Sequence, residues 1–374
     1  MDQMRWKGYL RKDGRKGIRN YVAVVYLCEC AHHIATEIAN RFKEHPVQLI
    51  GSQGCYHSEY AQNILNAVCT HPNVGGVLLI SMGCDGVNVR KLEQIVSESG
   101  RPVNSISIQK AGGTRMSLSI GVQWVDWCLG IIDGVMKVNM TVEDLIVGTI
   151  SSGNDATSAM TANPAVGQAV NHLISQKGTV IYAETDEMAG LEGVIDERTT
   201  KPELAENLKE YIEKAARDPR VLTYSTIEEE CMSLYCQTGD AAICGMIKPA
   251  QRPTKPGLFL IDLLFGDQKK AKVPKINVSA KMVDMIASGC HLIICTTGKG
   301  SVIGSAIAPV IKICANPMTF IQMRDNIDIN AGGILDGDET LEEIGEKIFV
   351  GLQFVASGIP SCAEGRGHQE FILH

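Results

Sequence analysis

A chain of 374 residues with 45% hydrophobic content and a net charge of −7 can bury a substantial core and, by length, divides into two or three domains. The acidic balance and a mean hydropathy of +0.03 exclude a general nucleic-acid or membrane-surface binder. No apolar leader follows "MDQMRWKGYL" and no long uncharged apolar run occurs, so a cytoplasmic, membrane-free protein is expected.

The one dense basic run, "RKDGRKGIRN", places Arg11, Lys12, Arg15, Lys16 and Arg19 close together. It reads either as a solvated loop or as a holder of an anionic substrate. Next, "YVAVVYL" (21–27) predicts a buried strand, and Ala31, Ile34, Ala35, Ile38 and Phe42 fall at the spacing of an amphipathic helix. The unit repeats: strand "VQLIGS" (47–52), then Ser58 as N-cap ahead of Ala61, Ile64, Leu65 and Val68 on one helix face. Strand "GVLLISM" (76–82) precedes a helix near 88–98, and "SISI" (105–108) precedes a helix over 114–137. Near-continuous apolar strands alternating with helices predict a parallel sheet covered on both faces. Residues 1–140 are therefore expected to form a Rossmann-like α/β domain, and 141–374 a second α/β region.

In that second region "EDLIVGTI" (143–150) leads to a helix over 156–176, broken or started by Pro164, and a strand at 178–183. Residues 199–217 are charged and helical; the stretch from Asp218 to Gly257, with clustered prolines, reads as a crossing between units. Strand 257–262, helix 279–289, strands 291–297 and 310–315, and a helix over 339–357 follow.

Ligands of open parallel sheets gather at the carboxyl ends of the strands. The first three strands end at Cys28 and Cys30, at "GCYH" with Cys55 and His57, and at "GCDG" with Cys84 and Asp85. Three thiols at one edge suit zinc, ferrous iron or an iron–sulfur cluster. The competing readings are small thiols filling tight turns and a lone nucleophile, Cys55 beside His57. Thirteen cysteines, odd in number and irregularly spaced, argue for reduced thiols rather than a disulfide framework. In the second region Asp155 sits at a predicted helix N-terminus, as a candidate base or simply as an N-cap. Glu184, Asp186 and Glu187 follow the strand at 178–183 and could ligate a hard metal, act as a base or form a solvated acidic turn. In "TTGKGSVIGS" (296–305), the amides of Gly298 and Gly300, with Lys299 and the hydroxyls of Thr297 and Ser301, could cradle a carboxylate, phosphate or sulfonate. The loop matches neither a Walker A motif nor a dinucleotide fingerprint.

Taken in order, "GYLRKDGRKGIRNYVAVVYLCEC", "GCYHSEYA", "HPNVGGVLLISMGCD", "NDATSAMTANPAVG", "AETDEMAG", "TTGKGSVIGSAIAPVIKICANP" and "DINAG" resemble the altronate/galactarate dehydratase family over nearly the whole chain. The resemblance implies a lyase that removes water from a small sugar acid such as altronate or galactarate, with an Fe2+ requirement met by a mononuclear ion or a cluster. A related branch is the sulfolactate sulfo-lyase large subunit, which "GCYHSEYA" and "GSVIGSAIAPVIKI" resemble more closely. It also implies a separate small SAF-domain subunit, since that domain is absent here, and a homo-oligomer. On this reading Cys30, Cys55 and Cys84 hold the metal; Asp155, Glu184 and His57 are the candidate bases; and Lys299, Thr297 and Arg19 hold the anionic end of the substrate. Two departures stand out: Ser151 replaces the family's usual cysteine, and a glycine-containing segment is shortened around Thr226, Glu228 and Glu229. They leave a non-catalytic, metabolite-binding relative as the other reading.

Overall fold

The computed structural model describes residues 4–185, 188, 191–217, 235–264 and 277–373. The chain is mixed α/β, built on two parallel sheets and one small antiparallel one. Strands β1 (Trp6–Leu10) and β2 (Lys16–Gly17) pair antiparallel, and β1 pairs on its other side with β7 (Lys137–Met140). The helix predicted over 114–137 accordingly ends at Asp133, because the chain extends into β7 three residues after the Gly134 cap.

The first parallel sheet comprises β3 (Tyr21–Tyr26), β4 (Val47–Gly51), β5 (Val74–Ser81) and β6 (Val103–Ser107), in the order β4-β3-β5-β6. Val24 pairs with Leu49 on one side and Leu78 on the other. Every residue of β3 and β5 is buried, as expected for a sheet with helices on both faces. The helix Glu29–Asn40 buries Ala31, Ile34, Ala35 and Ile38, and Glu59–Cys69 begins at Ser58, whose hydroxyl accepts from the Ala61 amide. That bond satisfies an amide which otherwise lacks a partner at a helix start.

The second sheet holds seven parallel strands: β8 (Ile146–Ser151), β9 (Thr179–Tyr182), β10 (Ile243–Ile247), β11 (Gly257–Ile261), β12 (Leu292–Thr297), β13 (Val310–Cys314) and β14 (Ile329–Asn330). Their order is β10-β11-β9-β8-β12-β13-β14. The segment read as a crossing thus contributes an edge strand, β10, parallel to β11. The helix predicted over 156–176 is two helices, Ala156–Met160 and Ala162–Ser175, meeting at Thr161, where φ is −127° and ψ −86°. Pro164 lies in the first turn of the second helix, where its missing N–H costs no intrahelical bond.

One core joins the sheets. Ile64, Leu65 and Val68 of helix Glu59–Cys69 share an apolar cluster with Met282, Val283 and Ile286 of helix Val278–Ala287 and with Ile150, Ile181 and Ile293 of the second sheet. Each sheet reverses its strand order beside its first strand, at β3/β5 and at β8/β12, and such switch points open a crevice at the carboxyl ends.

Candidate functional site

At the first switch point three loops are tied together by backbone bonds. The Ser52 amide donates to Tyr26 O (2.9 Å), Glu29 N to Gln53 O (3.4 Å) and Ser58 N to Gly86 O (3.4 Å). A Cβ on Gly86 would stand 2.3 Å from Tyr56 O and 2.8 Å from Gly54 O, so the loops after β4 and β5 meet only because position 86 is glycine. Asp85 fixes the turn that carries Cys84: its carboxylate accepts from Ser81 Oγ (2.5 Å) and from the amides of Met82 (3.1 Å) and Gly83 (3.2 Å). Gly83 has φ +110°, a region that other residues avoid.

Cys30, Cys55 and Cys84 are all exposed at this edge, and the first and last lie near enough to Cys55 to act on it electrostatically. Partial loss of hydration, and then the neighbouring Cys84 and Cys30 sulfurs, push the Cys55 thiol above its ordinary pKa. Cys28 turns inward beside Asp85; burial raises its pKa to about 11. His57 is exposed next to Cys55 in the loop. For a soft or borderline cation the donor chemistry of the three thiols fits. Their positions do not yet form a closed ligand set: among the described residues no three His, Cys, Asp or Glu side chains stand in metal-holding geometry.

The second switch point is built by Ser151–Asp155 after β8 and Thr297–Ser301 after β12. Gly298 N and Lys299 N donate to Gly153 O (3.0 and 2.9 Å), Gly300 N donates to Thr297 Oγ1 (3.0 Å), and the Ser152 and Ser301 hydroxyls bond at 3.2 Å. The anion cradle expected of this loop is corrected here: the amides of Gly298 and Lys299 are spent on the Gly153 carbonyl of the other loop and that of Gly300 on Thr297 Oγ1 of its own, while the Lys299 side chain is exposed. A Cβ at Gly298 would lie 2.2 Å from Asp155 Oδ1. Asp155 caps helix Ala156–Met160, accepting from Thr157 N (2.9 Å) and Thr157 Oγ1 (2.5 Å), with Asn316 Nδ2 at 3.4 Å. Partial burial raises its pKa, but these bonds outweigh burial and hold it below the usual carboxylate value. A carboxylate so satisfied is a poor base.

Glu184, after β9, is buried. One oxygen accepts from the Ser151 amide (3.2 Å) and the other pairs with Lys281 Nζ at 3.1 Å, the two side chains only 4% and 5% exposed. Ser151 Oγ donates to Asn154 Oδ1. Lys281 escaped sequence reasoning, although a lysine and Asp284 inside the otherwise apolar "VSAKMVDMIA" were a signal that buried charge is paired there. One turn along, Tyr60 Oη donates to Asp284 Oδ1 (2.7 Å), linking this helix to the one that begins at the thiol edge. Asp186, Glu187, Thr226, Glu228 and Glu229 lie outside the described residues.

Arg19 takes no part in either cluster. It precedes β3, at the opposite end of the sheet from the thiols. Its Nε and Nη2 pair with Glu364 (2.7 and 2.9 Å) and its Nη1 donates to Val355 O (3.0 Å), pinning the C-terminal helix Cys362–Arg366. The expectation that it grips substrate is corrected on that ground.

Two parallel sheets, each with polar loops gathered at its switch point, define an α/β protein of the ligand-binding, enzyme-like class. The profile of the D-galactarate dehydratase/altronate hydrolase second domain matches residues 8–132, and that of the D-galactarate/altronate dehydratase C-terminal domain matches 142–221 and 223–374. The chain belongs to the D-galactarate/altronate dehydratase family. Among its relatives, the (2R)-sulfolactate sulfo-lyase subunit beta of Chromohalobacter salexigens is 28% identical, over 98% of this chain and 96% of that one. Altronate dehydratase of Bacillus subtilis is 25% identical over 94% and 74%, and galactarate dehydratase (L-threo-forming) of Escherichia coli is 27% identical over 79% and 58%. Among the described residues no helix is long and apolar enough to cross a membrane.

Proposed function

We propose that this chain is the large subunit of a lyase that carries out β-elimination on a small hydroxy acid, a sugar acid such as altronate or galactarate. The observation that carries the reading is the end-to-end similarity to lyases, combined with three exposed thiols gathered at a switch point. Cys30, Cys55 and Cys84 would hold a ferrous ion or cluster, which supplies Lewis-acid stabilisation of charge developing on substrate oxygens, worth several kcal/mol. The chain's own groups do the rest. Lys299, the solvent-facing cation of the second switch point, holds the substrate carboxylate. Glu184 or His57 takes the proton alpha to that carboxylate, a step typically worth about 100- to 10,000-fold. His57, exposed on the surface loop, is favoured over Glu184, whose two oxygens, like those of Asp155, are already taken, by Ser151 N and Lys281 Nζ.

A second reading, elimination of sulfite from sulfolactate, is supported by the 28% identity to the sulfo-lyase subunit over 98% of this chain. That relative's designation as a subunit supports a partner subunit for this chain; that the partner is a small SAF-type subunit, and that the assembly is homo-oligomeric, belong to the same proposal. Anaerobically purified protein should contain iron and, with a small SAF-domain subunit added, form a 2-keto-3-deoxy acid from a sugar acid or sulfite from sulfolactate. C55S and C84S should remove the iron while leaving the melting temperature of the metal-free protein unchanged. Bound iron without turnover across the panel would refute the substrate assignment, and iron retained in both variants would refute the thiol site.

A further inference from the structure

The basic run that the candidate site leaves unused builds a second feature, on the opposite side of the molecule from the thiols. Arg15, Asn66, Thr70 and His71 from the first sheet's layer face Lys248, Gln251 and Arg252 from the second across a cavity of about 420 Å³. Among the described residues that line it, none is a carboxylate. Interfaces between domains are frequent ligand sites, and this volume lies within the range of about 300–1,000 Å³ typical of small-molecule pockets.

The charge around this cavity is unbalanced. Arg101 lies behind the wall, 5% exposed, with Nε donating to Val74 O (2.9 Å) and Nη2 to His71 O (3.0 Å), while its buried Nη1 has no acceptor. Burial, then Arg15, pull its pKa down to about 10, with Arg252 adding to the repulsion; Arg252 is lowered by burial and by Arg15 in turn. Asp13 pairs with Arg15 Nε and Nη2 (2.9 and 2.6 Å) and Arg15 Nη2 also donates to Thr70 O (2.6 Å), so Arg15 offers the cavity its Nη1, and Lys248 and Arg252 carry the charge that no described carboxylate balances. Two amide groups are oriented by their oxygens. Asn66 Oδ1 accepts from Gln62 Nε2 (2.9 Å) and Gln251 Oε1 from Lys248 N (3.1 Å), which leaves the NH2 ends to donate. Cations and N–H donors with no resident anion are what an oxyanion ligand would complete.

We propose that this cavity is a binding site for a small phosphate-bearing anion, held by Arg15, Lys248 and Arg252 with Asn66 and Gln251 as neutral donors. It is separate from the lyase site. It touches the carboxyl-terminal half of helix Glu59–Cys69, whose amino end lies next to His57, so occupancy bears on the same helix that borders the thiol loops.

The test is calorimetric titration of the whole purified protein at low ionic strength with inorganic phosphate and, separately, glucose 6-phosphate. Saturable one-site binding is expected, weakened at least tenfold in the double variant K248E/R252E and unchanged in K43E, an exposed lysine elsewhere. Both substituted residues are exposed, so folding is preserved, and circular dichroism of the variant checks this. Equal affinity for the two probes would identify free phosphate as the occupant; at least tenfold preference for glucose 6-phosphate would identify an organic phosphate. Absence of saturable binding by either probe, or affinity in K248E/R252E within twofold of the parent, overturns the proposal.

Discussion

The Glu184–Lys281 pair offers the sharpest test of how the second switch point is held. At 3.1 Å, with both side chains about 95% buried, the Coulomb attraction is about 5 kcal/mol at an effective dielectric constant of about 20. Much of it offsets the cost of taking both charges out of water. Removing one partner leaves the other uncompensated, and such losses run to about 3–5 kcal/mol. K281M should therefore lower the unfolding free energy by about 3–5 kcal/mol. E184Q should cost about as much, because an amide oxygen that keeps the Ser151 N–H turns its NH2 toward Lys281 Nζ, donor against donor, and removes the counter-charge. The double variant E184Q/K281M, with no buried charge left in the pair, should be more stable than the sum of the single losses by at least about 2 kcal/mol. Urea unfolding followed by circular dichroism at constant pH gives all three values. Additivity within about 0.5 kcal/mol, or a K281M loss below about 1 kcal/mol, would refute the claim that this ion pair organises the loop ends.

Three further expectations concern other parts of the molecule. Burial lowers the pKa of His291 to about 4 and that of His71 well below its ordinary value of 6.5. Both are therefore neutral in the folded state and bind protons only on unfolding. Stability should fall as pH drops below 6.5, with a slope approaching two protons between pH 6 and 5 and close to one in H291Q; a flat profile over that window would contradict it. Gly86→Ala, whose Cβ would stand 2.3 Å from a backbone oxygen, should separate the loops bearing Cys55 and Cys84 and cost at least about 2 kcal/mol, whereas a neutral effect in chemical denaturation would mean that the loops do not meet as described. Because Cys84 raises the Cys55 pKa, C84S should move the pH midpoint of Cys55 alkylation, followed on its own peptide by mass spectrometry, to lower pH; an unmoved midpoint would show the two sulfurs to be apart.

Much of this arrangement was legible in the sequence because the strands announce themselves. "YVAVVY" and "VGGVLLIS" are buried along their whole length, and only parallel strands covered on both faces have that composition. Once the strands are placed, Cys30, Cys55 and Cys84 must emerge at one edge. The same reasoning, applied consistently, already disqualified Arg19, which precedes its strand rather than following it; the pull of a cluster of like charges obscured the consequence of chain direction. What sequence could not show is where backbone donors go. The amides of Gly298 and Lys299 look free in a glycine-rich loop, but the Gly153 carbonyl reaches them from a segment nearly 150 positions earlier. Similarly, "KVNM" and "ICGMI" are too short to register as strands alone, and become strands only because β1 and β11 offer ladders to complete.

The buried polar line from Glu184 through Lys281 to Asp284 and Tyr60 connects the two switch points through helix Val278–Ala287. Lys281 and Asp284 are three residues apart and so lie on one face of that helix, one reaching the carboxylate after β9 and the other the tyrosine in the first turn of helix Glu59–Cys69. An apolar helix of the same shape would pack the two sheets at no desolvation cost, so stability alone does not account for this line. Its geometry does one thing an apolar contact cannot: it fixes the azimuth of that helix against both loop sets at once. Y60F removes the hydroxyl while keeping the ring. It should cost about 1–3 kcal/mol, the range for leaving a buried acceptor short of a donor, and should transmit to Glu184 only through the helix. If amide exchange at Ser151, whose N–H is held by Glu184, is accelerated in Y60F as well as in K281M, the two sites share one rigid element. If it responds to K281M alone, each switch point is held independently.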